Sequence, residues 1–289
     1  MNTMHYRGGE RYMAIANQAA QGKSPEEIER EEWERQKANQ RFKQLLTILS
    51  PLCILILWEF LSRTELIDSR FFPPPTAIVA TFFNMIQTGT LFDHLSISLM
   101  RIIGGFLLGT IPGIILGLLM GMYAPFRHFF RPIIMALMPI PTLALLPIII
   151  IIFGIGETSK LVTIAGSVFF PVVINTAAGV MNIEQIYIDV AKNYGASSKD
   201  FFFKIALPGS LPVMLEGIQM GQAIALLTIV AAEMMGANEG IGYLIWTSYK
   251  AFVITEMFVG LILISFFGYF FSLLLRRLQS KLLPWRENS

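Results

Sequence analysis

The chain has 289 residues, 54% of them hydrophobic and only 15% charged, with a net charge of +2 and a mean hydropathy of +0.59. Soluble domains carry about 25% charged residues, so this composition excludes a water-soluble globular protein and points to a membrane protein. The single cysteine, Cys53, excludes an intrachain disulfide, and His5, His94 and His128 are too scattered for metal-ligand spacing.

Residues 1–44 are polar and read as a cytoplasmic tail. Ser24-Pro25-Glu26-Glu27 is a helix start, with Ser24 as N-cap, Pro25 in the first turn and Glu27 closing a capping box. Glu26–Arg30 and Glu31–Arg35 are i,i+4 pairs, each adding a few tenths of a kcal/mol. Trp33 and Phe42 are placed to dip into a headgroup layer. The apolar run starts too late for a cleavable signal peptide. Gly22-Lys23-Ser24 has the end of a phosphate loop, but Asn17 stands where that motif needs its first glycine, so no nucleotide site is expected.

A first span is expected over 45–61, and 45–95 as a whole is this span plus a periplasmic connection. The connection holds Phe71-Phe72-Pro73-Pro74-Pro75, read as a rigid extended segment, and a mildly amphipathic interfacial helix from Ala77 to Gln87. Five further spans follow in a core over 96–278. The second, about 96–123, carries Gly105, Gly109, Gly113, Gly117 and Gly121, each four residues apart. Small residues at that spacing let two helix backbones approach closely, inside the subunit or across a dimer. Arg101, near its start, is expected to snorkel or pair.

The third span, about 132–153, contains Pro139, Pro141 and Pro147 and must be kinked or unwound, which is tolerated where protein or a cavity satisfies the freed groups. Thr142 lies in that irregular stretch. The fourth span covers about 161–180. The fifth, about 211–235, carries Glu216, Gln219, Gln222, Thr228 and Glu233 along it, and Glu216, Gln219 and the level of Gln222, three or four residues apart, form a polar stripe on one helix face. A polar stripe within a span is costly unless it meets water or partners. Thr142, Gln219, Gln222 and Glu233 are therefore the substrate-pathway candidates, with Glu233 read otherwise as an interfacial acid or a partner of Arg101 or Lys250. Residues 236–250 are expected to be an external loop. The sixth span, about 252–275, ends at Arg276-Arg277 ahead of a cytoplasmic tail, 279–289.

Between the fourth and fifth spans lies DVAKNYGASSKDFFFKIALP, from Asp189 to Pro208. Its residues favour a helix over 188–196 stopped by Gly195, then a second over 197–207 ended by Pro208. Val190, Ala191, Tyr194, Phe202 and Ile205 are expected to form a face against something outside the lipid. Of the 22 Lys and Arg residues, all but Arg63, Arg70, Arg101, Lys160 and Lys250 fall on one side when the N-terminus is inside. The positive-inside rule thus gives an N-in, C-in topology with this elbow in the cytoplasm.

The elbow's spacing resembles the EAA loop of ATP-binding-cassette importer permeases, which reads E-A-A, three residues, G, nine residues, I-x-L-P. Asp189-Val190-Ala191 stands for E-A-A, Gly195 (followed by Ala196) for G, and Ile205-Ala206-Leu207-Pro208 for I-x-L-P; Asp for Glu and Val for Ala are the departures. The loop spans 186–209. PIPTLALLPIIIIIFGIG is similar to a run in nitrate, sulfonate, taurine and bicarbonate importer permeases, and Val230-Ala231-Ala232-Glu233-Met234 resembles the family's V-A-E-M region. The resemblance covers about residues 60–275.

The resemblance implies an all-α, polytopic type I permease of about six spans in a bacterial inner membrane, with paired coupling helices at Asp189, Val190, Ala191, Gly195, Ala196, Ile205, Leu207 and Pro208. It implies a non-enzyme subunit without a cofactor of its own, Mg-ATP being bound and hydrolysed on a separate cytoplasmic ATPase. It also implies a homodimer of this chain and a periplasmic or lipid-anchored binding protein. Lipid is the other expected partner, and nucleic acid is not. The expected cargo is a small oxyanion or organosulfonate, with a pyrimidine-type vitamin precursor as the alternative. The rival classes are an ion-gradient-driven transporter, which would want an inverted repeat and midplane ionisable groups, and a membrane-embedded enzyme, for which no catalytic constellation is visible.

Overall fold

The computed structural model describes residues 25–284, apart from some side chains between 25 and 48. Every regular element among them is helical. The chain divides into two units, Met1–Pro75 and Thr76–Ser289.

In the first unit, α1 (Pro25–Arg63) is one 39-residue helix with Pro51 inside it. The Ser24 capping box and the Glu26–Arg30 and Glu31–Arg35 pairs lie outside the described residues or side chains. Lys37 Nζ sits 4.3 Å from the centre of the exposed Trp33 ring. Past α1 the chain coils back instead of extending. The Ser62 hydroxyl donates to the Phe72 carbonyl at 2.7 Å, and the Asp68 carbonyl accepts from the Phe71 and Phe72 amides. The expected extended segment thus shrinks to Pro73-Pro74, since turn bonds satisfy the backbone before them.

The second unit begins at the second residue of α2 (Pro75–Gln87), the expected amphipathic helix, which buries Ile78 and Met85. Its centre is a block of three long helices, α3 (Thr90–Met122), α6 (Glu157–Met181) and α9 (Leu207–Gly236), with α6 packed against both others. The sequence explains this closeness. A methyl added at Gly105, Gly113, Gly117 or Gly121 of α3 would lie 2.5–3.0 Å from the Cβ of Ile164, Val172, Thr176 or Val180 of α6, and one at Gly109 would collide with the Ala165 carbonyl. From the other side, a methyl at Gly217 of α9 would meet the Asn175 Cβ at 2.5 Å. The glycine row therefore packs within the subunit. In lipid, where burial of apolar surface drives little association, such backbone-close contact supplies dispersion energy that bulkier residues would forbid.

The third expected span is broken. α4 (Ala124–Leu137) ends before Pro139 and Pro141; a 3-10 turn, Thr142–Leu145, then leads into α5 (Leu146–Phe153). The two halves meet at 80°. Each proline removes a backbone donor and crowds the preceding turn, so their clustering ends the helix and does not merely bend it.

After α6 come α7 (Gln185–Asn193), α8 (Ser198–Phe201) and a π-helical turn, Phe202–Ala206, that runs directly into α9. Pro208 was expected to end a helix; it sits instead in the first turn of α9. The Leu207 amide reaches back five residues to the Phe202 carbonyl. That widened turn makes room for the proline ring, whose usual conflict is with the carbonyl four residues earlier.

The expected external loop is largely a helix, α10 (Ile241–Lys250), burying Ile241, Leu244, Ile245 and Ser248 on one face. α11 (Ile254–Leu282) closes the described chain. Four helices among the described residues are long and apolar enough to cross a membrane, or five if the bent α4–α5 pair is one crossing. The first expected span, 45–61, is the end portion of α1, some of whose side chains lie outside the described set.

Gly117→Leu is expected to cost on the order of 1–3 kcal/mol or more by overpacking, read as a lower melting temperature and loss of monodispersity in detergent. Gly236→Ala, whose added methyl would rest 3.5 Å from Ile150, should leave both unchanged.

Candidate functional site

The α3–α6–α9 block carries a distinct candidate site at each end. At one end lies the elbow. α7 stops where its sequence says it should: Gly195 takes φ 65°, and the Ala196 and Gly195 amides donate to the Ala191 and Lys192 carbonyls at 2.9 and 3.0 Å. This is the Schellman arrangement, which satisfies carbonyls a helix end leaves unpaired and favours a residue without Cβ at the left-handed position. Ser197 then caps α8, its hydroxyl accepting from the Asp200 amide.

The elbow side chains divide into two sets. Ala191 is buried and helps line a hollow of about 270 Å³ with Met122 at the end of α3, its C-cap Tyr123, and Phe201. Phe202, Ile205, Leu207 and Pro208 are half-buried; Asp189, Val190 and Ala196 are exposed. Asp189 accepts from the Gln185 amide side chain at 2.8 Å. Of the face expected to be free, Ala191, Phe202 and Ile205 therefore turn inward. The exposed apolar set is Ile186, Tyr187 and Val190 of α7 and its C-cap Tyr194, with Phe203. The first four fall on one side of the helix, and Tyr194 is 88% exposed. Ile186 and Tyr187 lie just before the motif, where a helix-period reading begun a turn earlier would have found them.

At the other end, the starts of α3 and α6, the end of α9 and the start of α10 meet around Arg101. Its side chain is 3% exposed. Nη1 donates to Glu233 Oε1 and to the Glu239 carbonyl, both at 2.7 Å. Nε and Nη2 form a fork on the two oxygens of Glu157 at 2.6 Å. Glu233, 0% exposed, also accepts from the Ser98 hydroxyl at 2.8 and 2.9 Å and from the Gly242 amide at 2.8 Å. The Ser98 oxygen accepts from the Ile241 amide, and His94 Nδ1 from the Gly240 amide. Gly240 and Gly242 lie so close that a Cβ on either would overlap the Glu233 side chain or the Val230 carbonyl.

Removing two charges from water costs several kcal/mol each, which is offset here because every carboxylate oxygen has charged or dipolar donors. Glu233 thus pairs with Arg101, while Lys250 lies 5.2 Å from the centre of the Trp246 ring. As a pathway candidate Glu233 has no surface open to a solute in this conformation.

Two of the other pathway candidates, Gln219 and Gln222, are engaged between helices. Gln219 donates to Gln279 of α11 at 2.6 Å, and Gln222, buried, accepts from Ser272 at 3.1 Å. Thr228 donates to Ser167 of α6. Glu216 is exposed, and half-buried Thr142 opens the 3-10 turn. The polar side chains of α9 therefore join it to α11 on one face and to α6 on another, a use that the sequence does not distinguish from lining a path.

The family described as binding-protein-dependent transport system inner membrane component matches residues 113–287. This chain belongs to that permease family. Its curated relatives include the putative aliphatic sulfonates transport permease of Bacillus subtilis, 33% identical over 88% of this chain and 92% of the relative. The taurine transport system permease of Escherichia coli is 32% identical over 84% and 90%, and the nitrate import permease of Leptolyngbya laminosa 30% over 84% and 88%. Among solved structures, an inward-facing form of the MetNI methionine ABC transporter shares the fold, with a TM-score of 0.53 at 19% identity, covering 68% of this chain and 95% of that one. The permease is an inner-membrane component, and its all-helical fold is as the motifs implied.

Arg101→Met is expected to destabilise the permease by about 3–5 kcal/mol, because it strands the buried Glu233 carboxylate. The double change Arg101→Met/Glu233→Met should recover much of that loss, as a double-mutant cycle by unfolding in micelles would show.

Proposed function

We propose that this permease is the gate of an ATP-driven importer and that α7 is the surface on which a cytoplasmic ATPase subunit pushes. The observation that carries the reading is the unpartnered stripe Ile186, Tyr187, Val190 and Tyr194 on a short helix. That helix is joined through α8 and the π turn to α9, without a flexible break after Ser197. Exposed apolar side chains in lipid need no explanation, but on a connection between spans they suit a protein partner. Positive-inside counting puts that connection in the cytoplasm. ATP is then bound and hydrolysed on the partner, with Mg, and this chain supplies no catalytic group.

Two copies of the chain with two ATPases would form the working assembly, alternating access between them as the ATPases close and open. A binding protein delivers the solute to the opposite face, near the Arg101 cluster. The relatives named for aliphatic sulfonates, taurine and nitrate favour a small oxyanion or organosulfonate as cargo. Arg101 and Lys160 hold partners of their own, so selection among such anions is assigned to the binding protein.

Val190 is exposed and outside the core, so Val190→Glu should leave the melting temperature of the permease unchanged. It should weaken ATPase co-purification by about thirtyfold or more, as loss of an interface hot spot does, and abolish uptake of labelled taurine, alkanesulfonate or nitrate into vesicles. Normal ATPase association in that variant would contradict the assignment.

A further inference from the structure

The two acids that hold Arg101 differ in one respect that bears on how the permease moves. Glu233 is sealed, whereas the Glu157 side chain is 47% exposed. Glu157 opens α6 directly after Gly154-Ile155-Gly156; the Gly156 carbonyl accepts from Ser159 and Lys160 of the same first turn, but among the described residues neither glycine has anything within 4 Å of the space its Cβ would fill. Ile155 is 81% exposed. Ahead of this loosely packed joint lies α5, itself set at 80° to α4. Close approach of α3 glycines to α6 begins only at Leu161, which a Cβ on Gly104 would meet at 3.0 Å, and at Ile164, so it starts past the first turn of α6. The Arg101 fork on Glu157 is thus the charged tie that holds the first turn of α6, and the joint before it, to α3.

Charge balance decides which tie can open. If the fork lets go, Arg101 keeps Glu233 and the Glu239 carbonyl. Glu157 keeps Lys160, whose Nζ is 3.7 Å away, and the favourable dipole of the α6 N-terminus. Water reaches the freed guanidinium donors from the exposed side of Glu157. Opening the other tie would instead leave a carboxylate buried without a counter-charge, the costly outcome for any ion pair.

We propose that Glu157 is a positioning residue for transport, a releasable strut on Arg101 that fixes the Gly154–Gly156 joint in the state seen here and frees it in the opposite state of the access cycle. The Arg101–Glu233–Ser98 contacts stay closed throughout. This rests on the importer reading for its role in the cycle, though not for the strut itself.

The test uses the full chain with Cys53→Ser and a spin label on Ile155→Cys, alone in lipid vesicles and then with its ATPase and binding protein. Adding Glu157→Gln should raise the label's mobility and leave the melting temperature near that of the parent, whereas Glu233→Gln should lower the melting temperature clearly. In the assembled complex Glu157→Gln should raise binding-protein-independent ATP hydrolysis by at least about fivefold, the lower end of an ordinary coupling energy. Unchanged label mobility, or a thermal loss in Glu157→Gln equal to that in Glu233→Gln, would overturn the strut. A parent complex whose ATP hydrolysis ignores its binding protein would overturn the importer reading instead, whatever the label shows.

Discussion

The architecture depends on how closely three backbones approach in the middle of the second unit. α6 lies where glycines of α3 on one side and of α9 on the other leave no room for a Cβ. In water, a core gains most of its stability from removing apolar area from solvent. In lipid that gain is largely absent, so contact at backbone distance has to supply the attraction. Everything functional hangs on this block: α3 and α6 carry Arg101 and Glu157 at one end, α9 brings Glu233 to them, and the elbow continues from α6 and α9 at the other.

The Arg101 cluster then does what close packing cannot. Dispersion contacts between helices tolerate small slides, whereas a guanidinium shared between two carboxylates and a carbonyl has one good geometry. Replacing a buried ion pair by apolar groups is often neutral for stability. Here the return is register: His94, Ser98, Arg101 and Glu233 lock the α9–α10 turn against the start of α3 through the Glu239 carbonyl and the Gly240, Ile241 and Gly242 amides. The same end of the molecule thus combines a sealed pair with a half-exposed one, and the opposite end carries an apolar helix face.

Legibility in the sequence followed the range of the interaction. Gly195 could be read as a helix stop because its chemistry is local, a left-handed residue closing two backbone bonds. The glycine row announced close packing, but only the fold shows its partner to be α6 and not a second copy. α10 was missed although Ile241, Leu244, Ile245 and Ser248 repeat at helical spacing; two glycines at its start, Gly240 and Gly242, and a position between spans suggested a loop. The π turn left no sequence mark apart from Pro208, which reads equally well as a stop. Arg101 and Glu233 are 132 residues apart, and nothing in either segment separates that pairing from one with Lys250. Gln219 and Gln222 lay on one face as expected, yet the face meets α11, because a period gives a direction only relative to its own helix.

If the block is one rigid body from elbow to outer cluster, force applied at α7 arrives at Glu233 undiminished. The direct test is a pulsed dipolar distance between spin labels on Lys192→Cys, on the side of α7 away from the apolar stripe, and Met235→Cys, at the far end of α9, in a Cys53→Ser background. The same distance distribution with the ATPase partner empty and with it trapped on nucleotide is the expected result. A shift between those two states, showing that the chain flexes at the π turn, would contradict the account.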